Sequence, residues 1–354
     1  MNKLRYLIIG SGWRAEFYGR IARTYPDLFE ALFLCRSEEK SALMHARTTT
    51  RATTSERDAE RFHPDFVVVA VNKSSLADVC IEWAARGYAV LSETPVGSSW
   101  EQLNMLWEMY TAKNARIAAS EQYHRYPELI AGLDAVAAGR IGSPSFAYLS
   151  LAHDYHAASL LRRMLLTAGE EYTLRGESFQ NTIVETDSRY GPITDGRLGV
   201  KDRNTLFVEY VSGKRAIYDF SDVQYHSFLR TRHLIVRGER GEWSDNLLLT
   251  LDADEKPQQE QLMQRVPEQY SLLDTPSLAE LRQEWRPELR LENCQDEFAI
   301  ASVLLDMGKW LSGGRSPYPL QEALDDAAFW LLSQQALLSP WRAVHSENYS
   351  WHVS

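Results

Sequence analysis

Short apolar runs and stretches of helical period alternate along the first third of the chain. Leu4–Ile9 (Leu-Arg-Tyr-Leu-Ile-Ile) reads as a buried strand, and Gly10-Ser11-Gly12 follows it at once. Phe17, Ile21 and Ala22 then recur at helical spacing to about Tyr25. The alternation continues with a strand over residues 31–35 and a helix from 38 to about 47. An unbroken apolar strand covers 65–71, and a helix over 75–86 is ended by Gly87. A strand over 88–92, a helix over 100–114 and a short strand over 116–120 complete the series. Strands that are apolar throughout belong to parallel sheets covered on both faces. Strand–helix units at this spacing predict an α/β domain with right-handed crossovers over residues 1–121.

Beyond residue 121 the pattern changes. A helix over 127–138 is closed by Gly139-Arg140-Ile141-Gly142, and a strand over 146–151 and a helix over 157–166 follow. Residues 179–185, 205–211, 216–220, 227–237 and 247–251 are β-type runs, some separated by turns such as Ser212-Gly213-Lys214. These predict a large open, mainly antiparallel sheet. Residues 252–290 are polar and proline-interrupted and are expected to be a loop-rich excursion. Helices are expected over 293–311 and 320–338. The predicted fold is an α/β Rossmann domain with a parallel sheet, joined to an α+β domain over 122–354 whose final helices pack back on the first.

Composition narrows the function classes. The chain has 354 residues and a net charge of -10. No basic stripe is present, so a nucleic-acid partner is not expected. No apolar run reaches the length of about 18 residues that a membrane span needs. The apolar stretch after the first residues is too short for a signal peptide and continues into glycines. The 3 cysteines are widely spaced, which suggests neither a disulfide framework nor a zinc site and points to a reducing, cytoplasmic compartment.

The strongest chemical signal is Gly10-x-Gly12-x-x-Ala15 between a strand and a helix. The first glycine permits a tight turn and the second lets a pyrophosphate approach the backbone. Ala15 allows close helix–strand packing, and the helix N-terminus faces the anion. After the second strand the sequence reads Cys35-Arg36-Ser37, with no acid until Glu38. A guanidinium beside a hydroxyl suits a 2′-phosphate, so NADP is preferred over NAD. The alternative is that Arg36 stacks on adenine or lies in solvent. A second cluster, His153-Asp154-Tyr155-His156, falls at a strand-to-helix junction. Histidine titrates near neutrality and suits acid–base work. Asp154 is equally suited to capping a helix, and His153 to the solvent face of a strand. His153-x-x-His156 has no third or fourth ligand nearby, so no metal is expected.

These features resemble the glucose–fructose oxidoreductase / inositol dehydrogenase / MocA (Gfo/Idh/MocA) family of NAD(P)-dependent oxidoreductases, over nearly the whole chain. The shared features are the glycine turn, Ala70-Val71-Asn72, and Val90-Leu91-Ser92-Glu93-Thr94-Pro95. Glu121-x-Tyr123-x-Arg125-x-x-Pro127 and His156-x-x-x-Leu160-Leu161-Arg162 continue the match. The resemblance implies hydride transfer between nicotinamide and a carbonyl/alcohol carbon of a sugar, cyclitol or related small molecule. It implies that Glu93 bonds the nicotinamide ribose, that Pro95 follows a cis peptide, and that His156 is catalytic with Asp154, Tyr155 and Thr94. Cofactor contacts are expected from Gly10, Ser11, Gly12, Trp13, Arg14 and Ala15. Arg36, Ser37, Val71, Asn72, Glu93, Pro95 and Gln122 complete that set. Substrate contacts are expected from Tyr123, His124, Arg125 and His153, with Tyr225, His226, Arg230 and Arg232 lining the cleft. The resemblance also implies a homodimer or homotetramer formed through the second-domain sheet.

Two departures bear on the chemistry. Thr94 stands where the family has a lysine, and Ala152 stands where it has an aspartate four residues before the catalytic histidine. Threonine hydrogen-bonds but is no general base near neutral pH. A cofactor-binding sensor or partner subunit, or an imine reductase, are therefore alternatives.

Overall fold

The apolar runs of the first third become six parallel strands: β1 (Leu4–Ile9), β2 (Phe29–Leu34), β3 (Arg51–Thr53), β4 (Phe66–Val69), β5 (Val90–Ser92) and β6 (Ile117–Ala119). Their order is β3-β2-β1-β4-β5-β6, and every pairing is parallel. Helices α1 (Trp13–Thr24), α2 (Glu38–Thr48), α3 (Glu56–Arg61), α4 (Lys73–Ala85) and α5 (Trp100–Lys113) connect them. The order reverses between β1 and β4, so the carboxyl ends of these two strands flank the crevice where such sheets bind ligands. The sequence pattern missed β3 and α3. β3 is a three-residue edge strand without a buried position, and α3 buries only Ala59. Neither leaves a hydrophobic period to read.

The computed structural model describes residues 3–188, 191–273 and 295–352. The chain forms two units, Met1–Arg125 with Pro267–Ala327, and Tyr126–Val266 with Ala328–Ser354.

The second unit opens with α6 (Pro127–Ala137), β7 (Pro144–Ser150) and α7 (Asp154–Leu165), and continues through β8 (Tyr172–Val184), β9 (Asp187–Ser188) and β10 (Gly191–Pro192). Then come β11 (Leu198–Tyr210), β12 (Arg215–Phe220), β13 (His233–Gly238), β14 (Gly241–Ser244), β15 (Leu247–Leu251) and β16 (Pro257–Gln261). With β17 (Val344–His345) they build a nine-stranded sheet in the order β16-β15-β14-β13-β7-β12-β11-β8-β17. Only the β7–β12 pairing is parallel. Alternation along β11, β12 and β13 buries Leu206, Val208, Tyr218, Phe220, Leu234 and Val236 on one face. Gly132 of α6 lies on Trp243, where a Cβ would stand 2.1 Å from the indole.

Three expectations are corrected here. β8 begins at Tyr172, seven residues before the predicted 179, because Gly176 and charged residues hid its alternation. Residues 227–232 are not strand: β13 starts at His233, and Phe228 before it is 86% exposed. The excursion contains β16, a wholly exposed polar edge strand; the rest of its predicted span beyond residue 273 lies outside the described residues.

The two C-terminal helices are α8 (Gln295–Leu311) and α9 (Leu320–Leu338). Residues 293–294 of the predicted helix lie outside the described residues. Phe298, Ile300, Ala301, Val303, Leu304 and Met307 of α8 join the core of the first unit beside Phe17, Ile21 and Phe33. Gly308 packs on Leu4, where a Cβ would stand 2.6 Å from a methyl. Residues 122–125 and 267–327, placed by the sequence in the second domain, thus group with the first. Among the described residues no helix is long and apolar enough to cross a membrane.

Candidate active site

The glycine turn is built for close backbone approach. Gly10 has φ +139°, and a Cβ there would lie 2.2 Å from the carbonyl oxygen of Ala70, so only glycine fits. A Cβ on Gly12 would meet nothing within 4 Å, which leaves that backbone open to a ligand. Gly12 is the N-cap of α1 and supplies no side-chain cap. Asn72, N-cap of α4 after β4, also makes no side-chain capping bond. By contrast Ser37, Ser55 and Ser99 cap α2, α3 and α5 through their hydroxyls. Among α1–α5, the two helices that open at the strand-order reversal are thus those whose N-cap side chain makes no capping bond, which suits a phosphate site.

Beside the turn, Glu93 is buried at the end of β5. Tyr18 Oη donates to Glu93 Oε1 at 2.5 Å and lies 2.8 Å from Ser120 Oγ. The Thr94 amide donates to Glu93 Oε2 at 3.4 Å, and Arg14 Nε lies 3.5 Å from the same oxygen. Burial pushes the Glu93 carboxyl above its ordinary range, and Arg14, Tyr18 and the Thr94 amide oppose that rise without cancelling it. Burial, with Glu93 next to it, pushes the Tyr18 hydroxyl well up. Gln122, oriented to satisfy both neighbours, donates to the Ser120 carbonyl at 2.9 Å and accepts from Arg14 Nη2 at 2.6 Å. The Thr94–Pro95 peptide is cis. Ser11, Trp13 and Val71 are half-buried around the turn, and Ala15 is buried. Arg36 is exposed after β2, and Ser37 accepts from the Lys40 amide at 3.3 Å as the α2 cap.

The three expected substrate residues after β6 form a short 3-10 turn, Tyr123–Arg125. Tyr123 is buried, and His124 packs against Tyr318 with ring centroids 5.5 Å apart. Arg125 is a structural tie. Its Nη1 bonds Tyr270 Oη at 2.9 Å, Ser302 Oγ at 3.2 Å and Asp306 Oδ2 at 2.8 Å, and its Nη2 bonds the Pro317 carbonyl at 2.7 Å. Burial raises the Asp306 carboxyl, but Arg125, Lys309 and Tyr270 outweigh it and hold the group below its ordinary value. Its contribution to stability is therefore present above the unfolded carboxylate range, about pH 4, and is lost as pH falls through the folded value. Arg125→Ala is expected to lower unfolding free energy by about 3–5 kcal/mol, read from urea titration, because Asp306 is left without its main partner.

In the second unit the predicted cluster condenses around His153. This residue, not Asp154, is the N-cap of α7, which starts three residues earlier than the pattern suggested. Its ring Nδ1 lies 2.5 Å from Tyr225 Oη and its Nε2 lies 2.9 Å from Tyr155 Oη. The His153 amide also donates to Tyr225 Oη, at 3.0 Å. The imidazole thus bridges the two phenol hydroxyls through its two ring nitrogens. His156 is 2% exposed, and its ring stands edge-on to His153 at 4.9 Å. Asp154 has φ +38°, a conformation costly for a side chain that is not glycine. Its amide donates to Tyr218 Oη at 3.2 Å, and burial, reinforced by the Asp154 charge, raises that phenol well above its ordinary value. Sequence reasoning missed Tyr218, Tyr18, Ser120 and Asp296, since an aromatic residue in a strand or an acid in a helix carries no motif. Among the described residues no three His, Cys, Asp or Glu side chains gather to hold a metal.

A six-stranded doubly wound sheet with an open glycine turn defines a dinucleotide-binding domain. Residues 4–121 match the Gfo/Idh/MocA family model, described as an oxidoreductase family with an NAD-binding Rossmann fold. The whole chain shares its fold with solved oxidoreductases. The myo-inositol dehydrogenase from Corynebacterium glutamicum is 14% identical at a TM-score of 0.65, covering 98% of this chain and 99% of that one. An oxidoreductase from Agrobacterium radiobacter, in complex with NAD+, L-tartaric acid and magnesium, is 13% identical at a TM-score of 0.69, covering 97% and 98%. The WlbA dehydrogenase from Bordetella pertussis, in complex with NADH and UDP-GlcNAcA, is 14% identical at a TM-score of 0.61 over 98% of both chains. No curated protein matches the chain in sequence.

Proposed function

We propose that the chain is an NAD(P)-dependent oxidoreductase that moves a hydride between nicotinamide and a carbonyl/alcohol carbon of a sugar, cyclitol or related polyhydroxylated compound. The observation that carries this reading is the uncapped N-terminus of α1 behind Gly10 and Gly12, with buried Glu93 beside it. The cradle fits a pyrophosphate, because a Cβ at Gly10 is forbidden and the backbone at Gly12 has nothing within 4 Å of where its Cβ would stand. Gly10, Ser11, Gly12, Trp13, Arg14 and Ala15 would hold the phosphates, with Val71, Asn72, Glu93, Pro95 and Gln122 toward the nicotinamide half. Arg36 and the Ser37 hydroxyl favour a 2′-phosphate, and hence NADP. The sugar-like substrate class is supported by the inositol and UDP-sugar relatives with the same fold.

The bound nicotinamide supplies the hydride donor or acceptor. This chain's own residues then have to handle one proton at the substrate oxygen. Thr94 offers a hydroxyl but no base. The proton-handling group is the chain Tyr155–His153–Tyr225, in which a proton accepted at a tyrosine oxygen passes through the imidazole. His156, the catalytic histidine the resemblance implies, stands edge-on to His153, and the Asp154 amide donates to Tyr218. Tyr123, His124, Arg230 and Arg232 contribute to the substrate side, whereas Arg125 acts as a tie.

A second reading, a cofactor-binding sensor or partner subunit, is favoured by one observation: Thr94 and Ala152 replace the family's lysine and aspartate. Substrate-panel assays that follow the reduced-nicotinamide absorbance, with thermal shift in parallel, separate the two. Turnover of a polyol or keto-sugar supports the oxidoreductase; a cofactor-dependent melting shift without turnover of any polyol, keto-sugar or imine supports the sensor. The half-exposed second-domain sheet face around Phe146, Ile217 and Ile235 suits self-association into a dimer or tetramer. The buried free thiols Cys35 and Cys80, the latter pushed up to about 12 by burial, suit a reducing, cytoplasmic setting.

A further inference from the structure

At the mouth of the glycine turn one guanidinium stands between two carboxylates. Arg14 lies 3.5 Å from Glu93 Oε2 through Nε and 3.7 Å from Asp296 Oδ1 through Nη1. Its Nη2 donates to Gln122 at 2.6 Å. The guanidinium also lies over the rings of Phe17, at 5.3 Å, and Trp13, at 5.6 Å. Tyr18 follows four residues later on the same helix face and takes the other Glu93 oxygen at 2.5 Å. A flexible cationic side chain fixed by this many partners loses rotamer freedom that a solubilising surface arginine keeps. The contacts converge on one carboxylate, at the place where the dinucleotide's own negative charge must enter. Two carboxylates beside that entry repel a pyrophosphate unless a cation offsets them. Position 94 supplies no such cation, since it is threonine.

We propose that Arg14 is the positioning residue of the cofactor site: it holds the Glu93 carboxylate against Tyr18 and offsets the charges of Glu93 and Asp296, so that an anionic dinucleotide is admitted at the glycine turn. This rests on the reading of the chain as a dinucleotide-binding oxidoreductase. The cation needed beside Glu93 thus comes from the first turn of α1, not from the segment that follows β5.

NADH titration followed by its fluorescence, on full-length protein, tests the assignment. Arg14→Gln is expected to weaken NADH binding about tenfold or more, and Arg14→Lys to stay within about threefold of wild type. In a Glu93→Gln background, Arg14→Gln is expected to cost less than about threefold further, because its target carboxylate is already neutral. Circular dichroism melts identify which variants fold, and Arg14→Lys and Glu93→Gln decide the matter should Arg14→Gln not fold. In that case, Arg14→Lys binding as in wild type while Glu93→Gln binds about tenfold more weakly supports the assignment, and any other pairing overturns it. Arg14→Gln binding within about twofold of wild type overturns the proposal. So does the same tenfold loss with and without Glu93, since Arg14 would then act independently of that carboxylate. A wild-type protein that takes up no NADH overturns the oxidoreductase reading itself, and this inference with it.

Discussion

Gly10→Ala is expected to remove pyridine-nucleotide binding. The added methyl would stand 2.2 Å from the Ala70 carbonyl oxygen, and the atom it meets is backbone. It cannot swing away as a side chain would. The φ of +139° adds a strain of about 1–3 kcal/mol for any residue with a Cβ. Either the β1–α1 turn or the end of β4 must shift, and those two segments form the walls of the crevice. An overpacked buried site costs about 1–3 kcal/mol in addition. The expected outcome is a folded protein with a visibly lower melting temperature and cofactor affinity reduced by about a hundredfold or more. Gly12→Ala is the internal control. Its Cβ meets nothing within 4 Å, so stability is expected to stay close to wild type while affinity falls. A Gly10→Ala protein that binds NADH as wild type does would show that the turn does not form the phosphate cradle.

The second large effect concerns the His153 cluster. His153→Ala removes the imidazole that joins the Tyr155 and Tyr225 hydroxyls. A positioned acid–base side chain contributes about 10²–10⁴ to rate, so kcat is expected to fall within that range. The cofactor Kd should hardly move, because the glycine turn and Glu93 are built from different elements. Tyr225→Phe breaks one end of the chain and leaves the imidazole in place, with an expected loss of about tenfold. Steady-state kinetics on the substrate found by the panel assay, with a pH profile, read both variants. Equal kcat in wild type and His153→Ala would remove the cluster from the chemistry.

Much of this architecture was legible in the sequence, for identifiable reasons. β4, β5 and β6 are buried at every residue and read as short apolar runs, and β1 and β2 are apolar but for Arg5 and Glu30. The glycine turn was legible because Gly10 adopts a geometry that only glycine satisfies, while Gly12 leaves its backbone open to a ligand. Strands exposed on both faces, such as β16, carry no hydrophobic period and read as loop. That the final helices pack back on the first domain was expected, but an apolar helix face does not name its partner residues; Gly308 against Leu4 is a contact between residues about three hundred positions apart. Arg125 shows the same limit. A motif places the residue, but its partners Tyr270, Ser302 and Asp306 come from distant sequence and make it a tie. His153 and Tyr225 were each singled out, yet their pairing depended on a short 3-10 turn, Asp222–Tyr225, in the gap between two predicted strands. The left-handed Asp154 has no sequence signal, since nothing local demands it.

The central claim is that the N-terminus of α1 binds the pyrophosphate of a pyridine nucleotide. Isothermal titration calorimetry of the purified wild-type chain with NADP, NADPH, NAD and NADH tests it most directly. One-to-one binding of at least one of the four, tighter for the 2′-phosphorylated forms and lost in Gly10→Ala, is the predicted result. No heat of binding and no melting shift with any of the four nucleotides would contradict the account.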